Sequence, residues 1–398
     1  MKAKSGLVRL YNCYILRDHK IIREDLWIRN GKIENPEQVF YGEQVEADLT
    51  LDCHDSLIAP GFIDIQINGG WGIDFADNTE NVEDGLQKVA TNLLAHGVTS
   101  FCPTMVTSSK ETYAKVLPRI KKSQGGKGGA TILGVHLEGP FISLAKKGAH
   151  LDQFIHSPEK GLVSVQETYG DMENAIIVTL APELPGASEA IAGLTEMGIK
   201  VALGHSSASL AEGEQGVKSG ANLITHLFNA MLPFHHRDPG LVGLLASLSD
   251  KQVFYGIIAD GIHTHPAALR IAMRTNPKGL ILVSDALAAM GLADGNYRIG
   301  PQPVTVANGL AYITGTKTLC GSTAALDTCV RRFKKALECS LEYALEAASL
   351  HPAQALGIDG KKGNLNFGCD ADFVILQPDT LKVLSTWIAG ECVYKSES

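Results

Sequence analysis

The chain has 398 residues, 45% of them hydrophobic and 20% charged, with a formal charge of −8. That composition describes an ordinary globular protein with a sizeable core; the negative balance argues against a general binder of nucleic acid or membrane surface, so an anionic ligand needs a local site. No apolar run approaches a membrane span and residues 1–6 lead into no signal-peptide core, so the expectation is no membrane partner and a cytoplasmic location.

Residues 5–56 read as strands. Short alternating runs at 7–10, 14–16, 25–28 and 31–33 are separated by turn residues. Asn30-Gly31 is a strong hairpin signal. The stretch from 371 to 394 has the same character. Two β-rich ends around a different middle predict one small β-sandwich domain built from 1–56 and 357–398. The middle, 57–356, alternates strand and helix. Strands are expected at 62–67, 98–102, 131–138, 175–180, 200–204, 222–225, 254–259 and 280–284. Helices are expected at 81–95, 110–122, 187–197, 210–218 and 267–274. Eight such units predict an α/β fold, a (β/α)8 TIM barrel. A doubly wound open sheet is the alternative, but it lacks the Gly-rich phosphate fingerprint after its first strand. Residues 297–318 interrupt the pattern with a hairpin turning at Asn308-Gly309.

The cysteines (Cys13, Cys53, Cys102, Cys320, Cys329, Cys339, Cys369, Cys392) are scattered with no Cys-x-x-Cys pair. In a chain of this size they read as reduced, mostly buried hydrophobes rather than a disulfide framework or structural zinc site.

Each barrel strand ends in polar residues. The run Thr131-Ile132-Leu133-Gly134-Val135 ends on His136 and Glu138, which share a face, before Gly139-Pro140 stops the strand. A carboxylate at the end of a buried strand is costly without a partner. His205, His226 and Asp285 stand at the ends of the fifth, sixth and eighth strands. One carboxylate and two imidazoles can hold Zn²⁺ with an open position for water. Such a metal lowers the pKa of its water from about 15.7 towards 7. Asp285 is well placed to take that proton. Singly, a strand-end His is more often a hydrogen-bonded structural residue, Glu138 could be a salt-bridge partner, and Asp285 could cap a helix. All four at one barrel rim point to catalysis. His235-His236 are poor metal candidates; His19, His54, His96, His156 and His351 read as surface or packing residues.

These motifs resemble the amidohydrolase superfamily and, within it, the N-acetylglucosamine-6-phosphate deacetylases. The resemblance is carried by Pro60-Gly61-Phe62-Ile63-Asp64-Ile65-Gln66-Ile67-Asn68-Gly69, His136-Leu137-Glu138-Gly139-Pro140-Phe141, Lys147-Gly148-Ala149-His150, Gly204-His205-Ser206, Thr225-His226-Leu227-Phe228-Asn229-Ala230-Met231 and Ser284-Asp285-Ala286. It runs from residue 58 to about 330. It implies Glu138, His205 and His226 as metal ligands. Asp285 would be the base that activates water and then protonates the leaving amine, and His150 the group that polarises the acetamide carbonyl. Ala149, Asn229, Ala230, Arg237, Asp260, Gly261, Ile262, His263, Leu319, Cys320 and Gly321 would contact the phosphorylated amino sugar. Arg237 would reach across a homodimer interface. Arg237 offers a fork for phosphate, and the backbone N–H groups of Asn229 and Ala230 can face an anion.

Many superfamily members begin the first strand with His-x-His and bind two metals. Here the pair is Gln66-x-Asn68, and Thr179-Leu180-Ala181-Pro182-Glu183 offers no bridging Lys. Amides are poor ligands beside imidazole, so one divalent metal is expected: Zn²⁺ first, with Fe²⁺, Co²⁺ or Mn²⁺ able to fit the same donors. Ser284 stands where Thr is common. The expected reaction is hydrolysis of N-acetylglucosamine 6-phosphate. The alternatives are another amidohydrolase activity, on a cyclic amide or N-acyl substrate, or a non-catalytic scaffold.

Overall fold

The structure is a computed structural model and describes residues 6–248, 251–299, 302–316 and 321–397. Eight parallel strands pair in chain order: Phe62–Ile67, Val98–Val106, Val135–Glu138, Ala175–Leu180, Lys200–Leu203, Leu223–Ile224, Phe254–Ile258 and Leu280–Val283. Just past the last strand the circle is completed. Asp285 N–H donates to Gln66 O at 2.9 Å, and Asn68 N–H donates to Ala286 O at 2.8 Å. Phe62–Ile67 is buried at every position, which explains a continuous apolar run in place of alternation. The helices cover the outside. Val82–Leu93 buries Val82, Leu86, Val89 and Leu93 on one stripe. Leu210–Ser219 opens with a Ser209/Glu212 capping box.

The expected third strand, 131–138, is two pieces. Thr131–Ile132 continues on Val98–Val106, the chain then breaks at Gly134 (φ +142°), and Val135–Glu138 begins anew. A Cβ at Gly134 would lie 2.7 Å from Asn174 O, so the break needs glycine. The sequence reading missed the helices Leu162–Tyr169, Leu326–Leu337, Leu341–Glu346 and Leu350–Leu356. Leu326–Leu337 carries the helical spacing plainly, burying Leu326, Val330, Phe333 and Leu337. The hairpin after the barrel is a three-stranded sheet, Gly295–Ile299, Gln302–Ala307 and Leu310–Ile313, turning at Asn308 and Gly309 with φ of +53° and +69°.

The two termini build one further eight-stranded sheet. Its path runs Glu391–Lys395, Val383–Ile388, Phe373–Leu376, Leu49–Pro60, Leu7–Arg17, Leu26–Arg29 and Lys32–Ile33, with Lys20–Arg23 beside Leu7–Arg17. Within it Leu7–Arg17 and Leu49–Pro60 pair in parallel, and the other pairs are antiparallel. One end of the path folds back on its middle, the Ala371 N–H just before Phe373–Leu376 donating to Gly31 O at 2.8 Å. The curled sheet encloses Leu10, Ile15, Ile28, Ile58, Phe373 and Trp387. Each such side chain contributes about 1.5–3 kcal/mol when fully buried. Beside that core, Lys362 Nζ lies 2.5 Å from Asp372 and 3.0 Å from Asp370.

Candidate active site

The strand ends at the C-terminal rim put three donor atoms together. Glu138 Oε1 is 3.2 Å from His205 Nε2 and 3.3 Å from His226 Nε2, and the two nitrogens are 3.0 Å apart. All three side chains are buried. A tetrahedral Zn²⁺ with bonds of about 2.0–2.2 Å has ligand edges of about 3.3–3.6 Å, so the triangle is close to the size the ion needs. His205 Nδ1 lies 2.9 Å from Lys146 O. A carbonyl only accepts, so Nδ1 carries the proton and Nε2 presents a lone pair to the centre. His226 Nδ1 is buried without a hydrogen-bond partner among the described residues. The chemistry of these donors therefore fits a cation.

Burial alone would raise the Glu138 carboxyl, but His205 and His226 facing its Oε1 outweigh it and hold it well below the usual range. Burial works against a charged His226, yet Glu138 draws its pKa up. A proton here does what a cation would do, sitting between one carboxylate and two imidazoles.

A second triplet, Glu138, His150 and His205, also has ligand atoms within 4.8 Å of one another. His150 is set up differently. Its Nδ1 accepts from Thr107 N–H at 3.2 Å and lies 2.7 Å from Thr107 Oγ1. The proton of the neutral ring is therefore on Nε2, which makes that nitrogen a donor and a poor ligand. Burial, reinforced by His205, pushes the His150 pKa down to about 3.

Asp285 lies beside the triangle. Its Oδ1 accepts from Asn68 Nδ2 at 2.8 Å and Gln66 Nε2 at 3.4 Å; Gln66 Nε2 also reaches Glu138 Oε1 at 2.9 Å. The first-strand amides thus hold the two carboxylates apart. Burial and the Glu138 charge push Asp285 up to about 6, near the value a general base needs around neutral pH. His205, His226 and Asp285 have φ of +47°, +26° and +44°. Non-glycine residues held there cost about 1–3 kcal/mol each and cluster at functional sites.

His136 is spent on structure. Its Nδ1 donates to Ile65 O at 2.9 Å, and its Nε2 lies 2.8 Å from Thr179 Oγ1. Burial lowers its pKa, so it is a neutral cross-brace inside the barrel. Glu183, which the sequence reading passed over, fastens the loop after His205, accepting from Ser206 Oγ at 2.7 Å and Ser207 N–H at 2.6 Å. Thr107 was likewise missed; only its place after an apolar run, in Val106-Thr107-Ser108, marks it as a strand-end residue.

The remaining expected contacts are spread over the rim loops. Asp260 and His263 pair at 2.6 Å; burial disfavours both charges, and each partner outweighs it for the other. Gly261 and Ile262 are exposed between them, and Ala149 is exposed beside His150. Ala230 has φ +50°, and Asn229 N–H is already taken by His226 O at 2.9 Å. This corrects the expectation that Asn229 and Ala230 both offer backbone N–H groups, because the turn uses the first of them. Arg237 is exposed, with Nε 3.4 Å from His236 Nε2 and no carboxylate paired to it among the described residues. Gly321 (φ +129°) packs against Leu287 beside the eighth strand, while Leu319 and Cys320 lie outside the described residues.

The amidohydrolase family model matches residues 57–393. The N-acetylglucosamine-6-phosphate deacetylase of Mus musculus is 56% identical over 399 residues, covering 99% of this chain and 97% of its own. That of Homo sapiens is 54% identical, covering 100% and 98%. The structure of a mutant of the N-acetyl-D-glucosamine-6-phosphate deacetylase from Mycobacterium smegmatis, in complex with N-acetyl-D-glucosamine-6-phosphate, superposes with a TM-score of 0.83 at 30% identity, covering 98% of this chain and 99% of its own. The chain belongs to the amidohydrolase family and, within it, to the N-acetylglucosamine-6-phosphate deacetylases.

Proposed function

We propose that the chain hydrolyses N-acetyl-D-glucosamine 6-phosphate to D-glucosamine 6-phosphate and acetate, in amino-sugar catabolism. The observation that carries this reading is the triangle of Glu138 Oε1, His205 Nε2 and His226 Nε2 at 3.0–3.3 Å, with Asp285 beside it. Glu138, His205 and His226 would hold one divalent cation, Zn²⁺ being the best match to this donor set. When bound, the cation supplies Lewis acidity, acidifying a water and polarising the acyl oxygen. Asp285 takes the proton of the attacking water; its Oδ1 is held by two amides, so Oδ2 is the oxygen for this task. Asp285 then returns that proton to the amine nitrogen as the carbon–nitrogen bond breaks. His150 Nε2–H donates to the developing oxyanion, a contribution of about 10²–10³ in turnover for donors of this kind.

Arg237 supplies the fork for the phosphate, supported by its having no carboxylate partner among the described residues in a chain of charge −8. His263, Asp260, Gly261, Ile262, Ala149, Asn229, Ala230, Leu319, Cys320 and Gly321 complete the sugar and phosphate contacts. Two copies pair so that Arg237 serves the partner's site; the exposed Phe234 (63%) on the same loop favours an apolar contact there. The seven described cysteines are all free thiols, which suits a cytoplasmic location.

The test is acetate release from the phosphorylated and unphosphorylated sugar, with metal analysis of the same sample. Turnover confined to the phosphorylated sugar with one metal per chain is expected. Equal rates on both sugars would remove the phosphate contacts from the reading. Glu138→Ala should lose bound metal on dialysis; full occupancy would remove Glu138 from the ligand set.

A further inference from the structure

We propose that Thr107 is a positioning residue that fixes the tautomer of His150, so that Nε2–H, and not a lone pair, faces the acyl oxygen. This rests on the hydrolase reading above. Thr107 directly follows the strand Val98–Val106, whose last residue pairs with Glu138. It therefore stands beside the donor triangle without facing into it.

An imidazole presents a donor or an acceptor at each nitrogen, and its neighbours decide which. The Thr107 backbone N–H can only donate, and it points at His150 Nδ1 from 3.2 Å. At that length the N–H turns Nδ1 towards accepting but holds it weakly, and the shorter hydroxyl contact does most of the fixing. The Thr107 hydroxyl, at 2.7 Å from the same nitrogen, then donates to it as well. Two donors on Nδ1 leave the ring proton on Nε2. Thr107 is 3% exposed and His150 8%, so little water can compete for these bonds. His150 Nε2 makes no hydrogen bond among the described residues. Its ring meets His205 edge-on, with centroids 4.5 Å apart.

Gly139 is part of the same device. It follows Glu138, has φ +78°, and a Cβ there would fall 2.2 Å from Thr107 Oγ1 and 3.6 Å from His150 Nδ1. The absent side chain is the space in which the hydroxyl sits. Two consequences follow from the fixed tautomer. His150 can donate to an oxyanion. It also has no lone pair on the nitrogen left free, which keeps it out of the ligand set despite its closeness to Glu138 and His205.

The experiment uses the full-length metal-loaded chain, with metal content measured for every variant. Thr107→Val removes the hydroxyl and keeps the branched shape. We expect kcat to fall about three- to thirtyfold with KM changed less than about twofold, metal content unchanged, and Thr107→Ser to recover most of the loss. In a His150→Ala background, Thr107→Val should change kcat by less than about twofold, because both act through one group. Nitrogen-15 histidine spectra, with His150 assigned by the signals lost in His150→Ala, should show the proton on Nε2. A proton on Nδ1, undiminished kcat in Thr107→Val, or the same loss with His150 absent would each overturn the proposal. Wild-type kcat in His150→Ala would overturn the reading of His150 itself, and Thr107 with it.

Discussion

Two clusters of charged groups in this molecule, one beside the terminal sheet and one at the barrel rim, are treated in opposite ways. Beside the terminal sheet, Lys362 sits between Asp370 and Asp372, Lys32 pairs with Asp370, and Asp372 also accepts the Ala389 N–H at 2.8 Å. Burial opposes the Lys362 charge, but the two carboxylates raise its pKa above the usual value. Every charge there has its opposite, which locks the chain in one arrangement. At the barrel rim the carboxylates of Glu138 and Asp285 crowd each other across Gln66, and His205, His226 and Asp285 are held at positive φ. There burial leaves one carboxyl near 6 and one imidazole near 3. Desolvation with matched partners makes structure; desolvation with mismatched partners leaves groups ready to exchange protons.

That contrast can be broken by substitution. The largest effect expected is for Asp285→Asn, which should lower kcat/KM by about 10²–10⁴ while metal content stays at the wild-type level. Near-normal turnover would end its role as base. At the other cluster, Lys362→Met should leave the buried Asp372 carboxylate without its cation, while Asp370 keeps Lys32, and cost about 3–5 kcal/mol in denaturant unfolding, with kcat nearly unchanged. A loss of activity without a loss of stability there would erase the distinction between the regions.

A smaller effect of opposite sign is expected for the stability of the metal-free Asp285→Asn protein. A carboxyl raised from 3.8 to about 6 binds more protons folded than unfolded between those values. Folding stability therefore declines as pH rises through that window, and removing the charge should stabilise the metal-free chain above pH 6, by about 1 kcal/mol or more. Destabilisation at pH 7 would show the carboxylate to be structural. The same group sets the acid limb of kcat/KM, because protonation removes the base. A bound cation offsets the Glu138 charge that raises Asp285, so the limb should lie at or below about pH 6. A limb above pH 7 would assign it to another group.

The alternation of strands and helices was legible because barrel strands are buried on both faces and read as short apolar runs. Both Asn-Gly turns, at Asn30-Gly31 and Asn308-Gly309, adopt the positive φ that this pair favours. The helices from 326 to 356 were not read, although Leu326–Leu337 has regular spacing. The break at Gly134 was not foreseeable, because it depends on a carbonyl forty residues away.

By itself the sequence determined which residue types stand at the strand ends, and therefore the donor set: one carboxylate, imidazoles and a second carboxylate, with amides where a second metal's histidines would be. Strand period and chain order suffice for that, because both are local properties. The tertiary structure alone decided how those residues divide the work. Glu138, His205 and His226 come together from three strands, His136 is turned to Thr179 and Ile65, and His150 receives its tautomer from Thr107. A histidine's role is set by what faces each of its two nitrogens, and those neighbours lie 43 to 71 residues away along the chain.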